Sequence, residues 1–297
     1  MAEKRAQHSI IEVFDLESGT RKTVAEFDTV IEAPNWTRDG KQLIYNGDGS
    51  LWYFDLETGK STRIDTYEAT TVNNDHVLSF DGSEIGVSSG TGGSWASKIF
   101  RYNLETGEMQ PIVKKPLSFL HGWSADKKTM LYIGIRMHGL KHTVHVYSVD
   151  LSAGKLPYPE KQLTFEGAND GSEFAPSVEG KPDVIWYNST VSGTMQIWSM
   201  NADGSEKKQW TFDDSRNSWF PHISPDGKKV VYVSYRGEDL APHEHVPDKW
   251  VQIRMLDLTE ENPKEQVLFE MFGGQGTMNV NSWAPDSRQF AFVSYRK

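Results

Sequence analysis

The densest chemistry in the chain is His243-Glu244-His245, bracketed by Pro242 and Pro247. In an extended segment residues two apart point the same way, so both imidazoles reach one side, where His222 would supply a third nitrogen to a divalent cation. The alternative is an exposed loop that holds no metal, stiffened by its prolines. A second set is Arg136, Arg236 and Arg296, each ten residues after an aspartate (Asp126, Asp226 and Asp286). Three guanidinium groups at one repeated position suit a carboxylate or phosphate, which arginine holds in bidentate fashion. Pairing with acids such as Glu173, Glu238 or Asp239 is the competing reading, worth roughly 0–1 kcal/mol per exposed pair. Histidine forms the third set: His76 and His121 both stand five residues before a turn aspartate, and His222 stands four before one.

Other fragments carry no chemistry. Gly92-Gly93-Ser94-Trp95-Ala96 misses a nucleophile elbow at its last position, and GGQGTMN from Gly273 lacks the third glycine of a dinucleotide loop. Asn169-Asp170-Gly171-Ser172-Glu173 is too short for a calcium hand. No nucleophile–base pair is legible, so no catalytic residue is assigned.

The elements that position these residues come in copies. Inner hairpins read NWTRDGKQLIYNG from Asn35, VLSFDGSEIGVSS from Val77, GWSADKKTMLYIG from Gly122, SVEGKPDVIWYNS from Ser177, HISPDGKKVVYVS from His222 and SWAPDSRQFAFVS from Ser282. Each alternates apolar and polar residues, the period of a half-buried strand, around the Asp-Gly type of turn that two-residue hairpins prefer. Outer hairpins read LWYFDLETGK from Leu51, IFRYNLETGE from Ile99, VYSVDLSAGK from Val146, IWSMNADGSE from Ile197 and IRMLDLTEEN from Ile253. A sixth, IIEVFDLESGT, sits out of order at Ile10. Four strands per repeat, spaced 42 to 60 residues apart, predict an all-β, six-bladed β-propeller over residues 1–297 as one domain. Its sixth blade is closed by the N- and C-terminal hairpins, which leaves no terminal blade edge. APSVEGKP from Ala175 carries extra residues before its turn, so blade four aligns least well.

SPDGKKVVYVS at Ser224 and NSWAPDSRQFAFVS at Asn281 resemble the TolB-like β-propeller repeat most closely. The resemblance covers the propeller part, without the N-terminal α/β domain of true TolB. It implies the fold, and a family of protein-binding scaffolds, peptidase caps and a few enzymes. Oligogalacturonate lyases are similar to this repeat family and hold a divalent metal on a histidine cluster. By that analogy His222, His243 and His245 would hold the cation, and Arg136 or Arg236 would neutralise a uronate carboxylate of an acidic oligosaccharide.

Composition narrows the classes. There are no cysteines among 297 residues, which excludes disulfides and thiolate metal sites. Net charge is −10 with no basic tract, which argues against nucleic acid. No run approaches the ~20 apolar residues of a membrane helix. MAEKRAQHSI has charges and no apolar core, so the sequence reads as cytoplasmic, or periplasmic if a signal peptide has been removed. Trp36, Trp123 and Trp283 occupy one repeated position and are expected between blades.

Propeller geometry puts the turns within hairpins on one face and the connections between them on the other. The latter are the long loops: SGTGGSWAS, RMHGLKHT, TFEGANDGSEF, RGEDLAPHEHVPDKW and EMFGGQGTMNVN. Long loops on a rigid scaffold are where binding residues sit. The expectation is a monomeric, non-enzymatic binding scaffold without a cofactor, taking a protein segment, an anionic small ligand or a carbohydrate at the channel mouth on that face. The expected ligand-binding set is His76, His121, Arg136, Glu173, Trp219, His222, Arg236, Asn281 and Arg296, with Phe119, Phe174 and Trp250 beside it.

Overall fold

Each repeat forms its own antiparallel sheet. The computed structural model describes residues 7–90, 94, 96–139 and 141–296, so Met1–Ala6, Thr91, Gly92, Gly93, Trp95, Leu140 and Lys297 lie outside the described residues. Strands β1 (His8–Asp15) and β2 (Thr20–Phe27) open the chain and belong to the last sheet. Blade one is β3 (Ile31–Trp36), β4 (Gln42–Gly47), β5 (Ser50–Asp55) and β6 (Ser61–Ile64). Blade two is β7 (Thr71–Leu78), β8 (Glu84–Gly90), β9 (Lys98–Asn103) and β10 (Met109–Val113). Blade three is β11 (Ser118–Trp123), β12 (Thr129–His138), β13 (Lys141–Asp150) and β14 (Glu160–Gln162). Blade four is β15 (Asn169–Phe174), β16 (Val184–Ser189), β17 (Gln196–Asn201) and β18 (Lys208–Gln209). Blade five is β19 (Arg216–Ile223), β20 (Lys229–Arg236), β21 (Lys249–Asp257) and β22 (Gln266–Gly273).

The sixth blade joins the chain ends as the repeat order predicts. β23 (Gln289–Arg296) pairs with β1 in eight register pairs, from His8 opposite Arg296 to Asp15 opposite Gln289. A bridge from Trp283 to Phe290 supplies its inner edge. Inner strands touch in sequence around the ring, β3 on β7, β7 on β11, β11 on β15 and β15 on β19, and β22 on β23 and β23 on β3 complete it. The fold is a six-bladed β-propeller.

The acidic turns are structural. In the inner hairpins the hydroxyls of Thr37, Ser79, Ser124 and Ser224 donate to Asp39, Asp81, Asp126 and Asp226 at 2.6–2.8 Å. The same carboxylates accept backbone N–H groups two residues on, and Gly40, Gly82 and Gly227 follow with positive φ. Blade four lacks that aspartate. Its longer turn is instead tied by Ser177 donating to Asp183 at 2.7 Å, which is why it aligns poorly.

Apolar clusters form between blades, so each blade's core is completed by its neighbour. Trp36 packs with Ala284, Ala291 and Val293 of the sixth blade. Trp123 and Trp283 donate across to the backbone oxygens of Val77 (2.9 Å) and His222 (3.0 Å) in the preceding blades. These contacts hold the inner strands close to the axis.

Candidate functional site

A shared irregularity turns side chains into the channel. Inner strands β3, β7, β11, β15 and β19 each slip register once, and β3, β7, β15 and β19 resume pairing at Asn35, His76, Glu173 and His222. Bulges re-aim side chains. Ala33, Gly171 and Phe220, within three of these slips, all have positive φ, so the backbone there is strained at the two non-glycine positions.

The residues after the slips form one polar chain across five blades. His76 Nδ1 meets Asn35 Oδ1 at 3.1 Å, and Asn35 donates to Asn281 O at 2.8 Å. Asn281 donates to Glu173 Oε1 at 2.6 Å, and Glu173 Oε2 meets His222 Nδ1 at 2.8 Å. His222 Nε2 faces Met278 O at 3.0 Å. A carbonyl only accepts, so Nε2 carries a hydrogen. Among the described residues His76 has no carboxylate partner, and burial pushes its pKa down to about 3.

Nearer the long loops a second ring crosses the mouth. Asp75 on β7 lies 3.7 Å from His121 on β11, and His121 lies 3.0 Å from Asp170 on β15. Asp170 also lies 3.4 Å from His245 of the blade-five loop, and His245 meets Gln275 of the next connection. Gln275 donates to Asn74 at 3.4 Å and closes the circuit. Burial raises Asp75 to about 6 despite His121. Burial also opposes the charge on Asp170, but bonds from His121 and His245 hold it well below the usual carboxylate range. Burial works against a charge on His121 too, and is outweighed by Asp170 and Asp75, so its pKa rises. The mouth therefore combines an ionised carboxylate, a carboxyl that protonates near pH 6, and imidazoles.

The expected set is divided by this geometry. His76, Glu173, His222 and Asn281 come together in the channel, and His121 joins the mouth ring. Trp219 is buried beside His245, ring centroids 4.4 Å apart, and its indole N–H has no hydrogen-bond partner among the described residues. The arginines do not share a rim. Arg136 is buried, donates to Leu117 O and Ser118 Oγ at 2.9 Å each, and lies against the Tyr132 and Tyr147 rings. Arg236 is exposed, and Arg296 is exposed and pairs with Glu26 at 3.3 Å. Arg136→Ala is therefore expected to cost about 2–3 kcal/mol, and Arg236→Ala no more than about 0.5 kcal/mol. Urea titrations would check the pair, and equal losses would contradict this placement.

A divalent metal does not fit the three histidines proposed for it. Both ring nitrogens of His222 are taken, His243 is exposed, and His245 is turned to Asp170 and Gln275. Among the described residues no group of three or more His, Asp or Glu has metal-holding geometry. The side chain of His138 lies outside the described residues.

Sequence reading passed over Asp75, Asp170, Gln275 and, on the opposite face, Arg38. Asp170 lies in the segment too short for a calcium hand. Comparing the last paired residue before each slip would have exposed it, since Glu32, Asp170 and Trp219 share that position.

No family model matches the chain. An uncharacterized protein of Agrobacterium fabrum is 37% identical over 292 residues, 98% of this chain and 93% of that protein. The solved structure of a candidate TolB from Agrobacterium tumefaciens matches with a TM-score of 0.87 at 36% identity, over 99% of this chain and 100% of that one. An oligogalacturonate lyase of Vibrio parahaemolyticus reaches a TM-score of 0.56 at 15% identity, over 96% of this chain and 78% of that one. At that identity the likeness is one of fold alone.

Proposed function

We propose, for a chain that belongs to the TolB-like β-propeller family, a non-enzymatic binding scaffold whose long-loop face takes a segment of a partner protein at the channel mouth. One observation carries this reading. Tyr67, Met137, Phe165, Val191, Phe212 and Trp250 are between 43% and 68% exposed, and all six lie in or at the ends of the long-loop-face connections. Of the large exposed apolar side chains described, only Val178 and Val267 lie elsewhere. Exposed apolar groups gathered on one face mark an interaction surface.

The mouth at the centre of that face adds direction. Asp75 and Asp170 bring two carboxyl groups to that mouth, in a chain of net charge −10. They favour a segment that presents N–H or cationic groups over an anionic ligand. A photo-crosslinking residue placed at Phe165 or Phe212 is expected to capture the same partner protein in cells, and one at Val267 to capture none. Equal capture at all three positions, or none at the first two, would overturn the reading.

A further inference from the structure

The other end of the channel holds a second site. On the short-turn side a cavity of about 280 Å³ lies on the propeller axis, and every blade contributes to its wall. Most of the wall is apolar, including Val77, Leu78, Trp123, Phe174 and Ile223. The rim residues Phe80, Pro176 and Pro225 are half-buried, so the cavity faces the short turns. Its polar groups are few: the Glu173–Asn281 pair and the guanidinium of Arg38.

Arg38 is the cation left over. It reaches from the blade-one turn to blade two, where Nε and Nη2 both donate to Ser79 O at 3.2 Å. No hydrogen bond from Nη1 and no ion pair of Arg38 occurs among the described residues. The acids closest in influence are Glu173 and Asp81, and each is already engaged. Glu173 is bound by His222, Asn281 and the Ile223 N–H, and Asp81 by Lys127 at 2.7 Å. Both Glu173 oxygens are therefore already engaged, and Arg38 is the cavity's one side chain with an N–H left unmatched among the described residues. Burial pulls the Arg38 pKa below the usual guanidinium range, against Glu173 and Asp81, which raise it.

We propose that this cavity binds a small carboxylic acid with an apolar body, its carboxylate on Arg38 and its body against Trp123, Phe174 and Ile223. Arginine's fork recognises a carboxylate, and an apolar cavity takes apolar groups in preference to water. The volume equals about nine waters at ~30 Å³ each. That admits an aryl or branched-chain acid. This site is independent of the protein-binding face, so either can fail alone.

The test uses the intact chain and a small panel of aryl and branched-chain acids, phenylpropionate among them, each paired with its neutral amide. Calorimetric titration is expected to give at least one acid with a Kd on the order of 1 mM or tighter, bound about tenfold more tightly than its amide. Arg38→Met keeps the stem and is expected to abolish that preference while the amide still binds. The wild-type comparison needs no variant, so a poorly folded Arg38→Met leaves the question answerable. Equal binding of acid and amide, no binding by any acid, or a preference that survives in a folded Arg38→Met would overturn the proposal.

Discussion

Removal of β1 and β2, by deleting residues through Phe27, is expected to leave a chain that aggregates and shows no cooperative melting near the full-length midpoint. β1 buries Ile10, Ile11, Val13 and Phe14. At ~1.5–3 kcal/mol per buried apolar side chain these contribute about 6–12 kcal/mol, comparable with the whole ~5–15 kcal/mol stability of a domain. The deletion also bares β23, whose QFAFVSYR would present a free, strongly apolar edge along eight unmatched positions. Unlike a terminal repeat of an open stack, this blade has no polar cap, because the ring gives it neighbours on both sides. Size-exclusion chromatography with thermal melting would decide. A monomeric truncated chain that melts like the full-length chain would mean that closure is dispensable.

Glu173→Ala is expected to lower stability by about 3–5 kcal/mol, a midpoint drop of about 10 °C for a chain of this size. The carboxylate accepts from Asn281 and from the Ile223 N–H and meets His222 Nδ1, all in the protein interior. Alanine strands the Ile223 N–H and one hydrogen of the Asn281 amide and takes the partner from His222 Nδ1, and each stranded buried donor costs about 1–3 kcal/mol. Glu173→Gln is expected to be mild. With its hydrogen at Nε2 bonded to Met278 O, a neutral imidazole can accept at Nδ1 from the new amide, while the amide oxygen keeps the bonds from Ile223 and Asn281. The contrast between the two variants carries the argument. An alanine variant as stable as wild type would show that the channel's polar chain is incidental.

How far the sequence alone reaches is set by the range of each interaction. Hairpin turns are local: Thr37-Arg38-Asp39-Gly40 and its copies satisfy their own hydrogen bonds within a few residues, so repeat number, blade limits and ring closure could be read directly. The turn aspartates also anchor a visible column four or five residues before them, which is why His76, His121 and His222 were legible as channel residues, although they lie near the ends of their inner strands. Side-chain direction was not legible. Arg136, Arg236 and Arg296 share a spacing, yet Arg136 turns inward because Ser118 and the carbonyls beside it lie within reach, and neither of the others has such a pocket. Period-two alternation assigns a residue to a face of its sheet, but the register slips in the inner strands override that alternation at the axis. The ring from Asn74 and Asp75 through His121, Asp170, His245 and Gln275 joins residues up to 201 positions apart, and Arg38 meets its cavity only where six blades converge. Those groupings arise from how neighbouring blades pack, and the tertiary structure alone decided them.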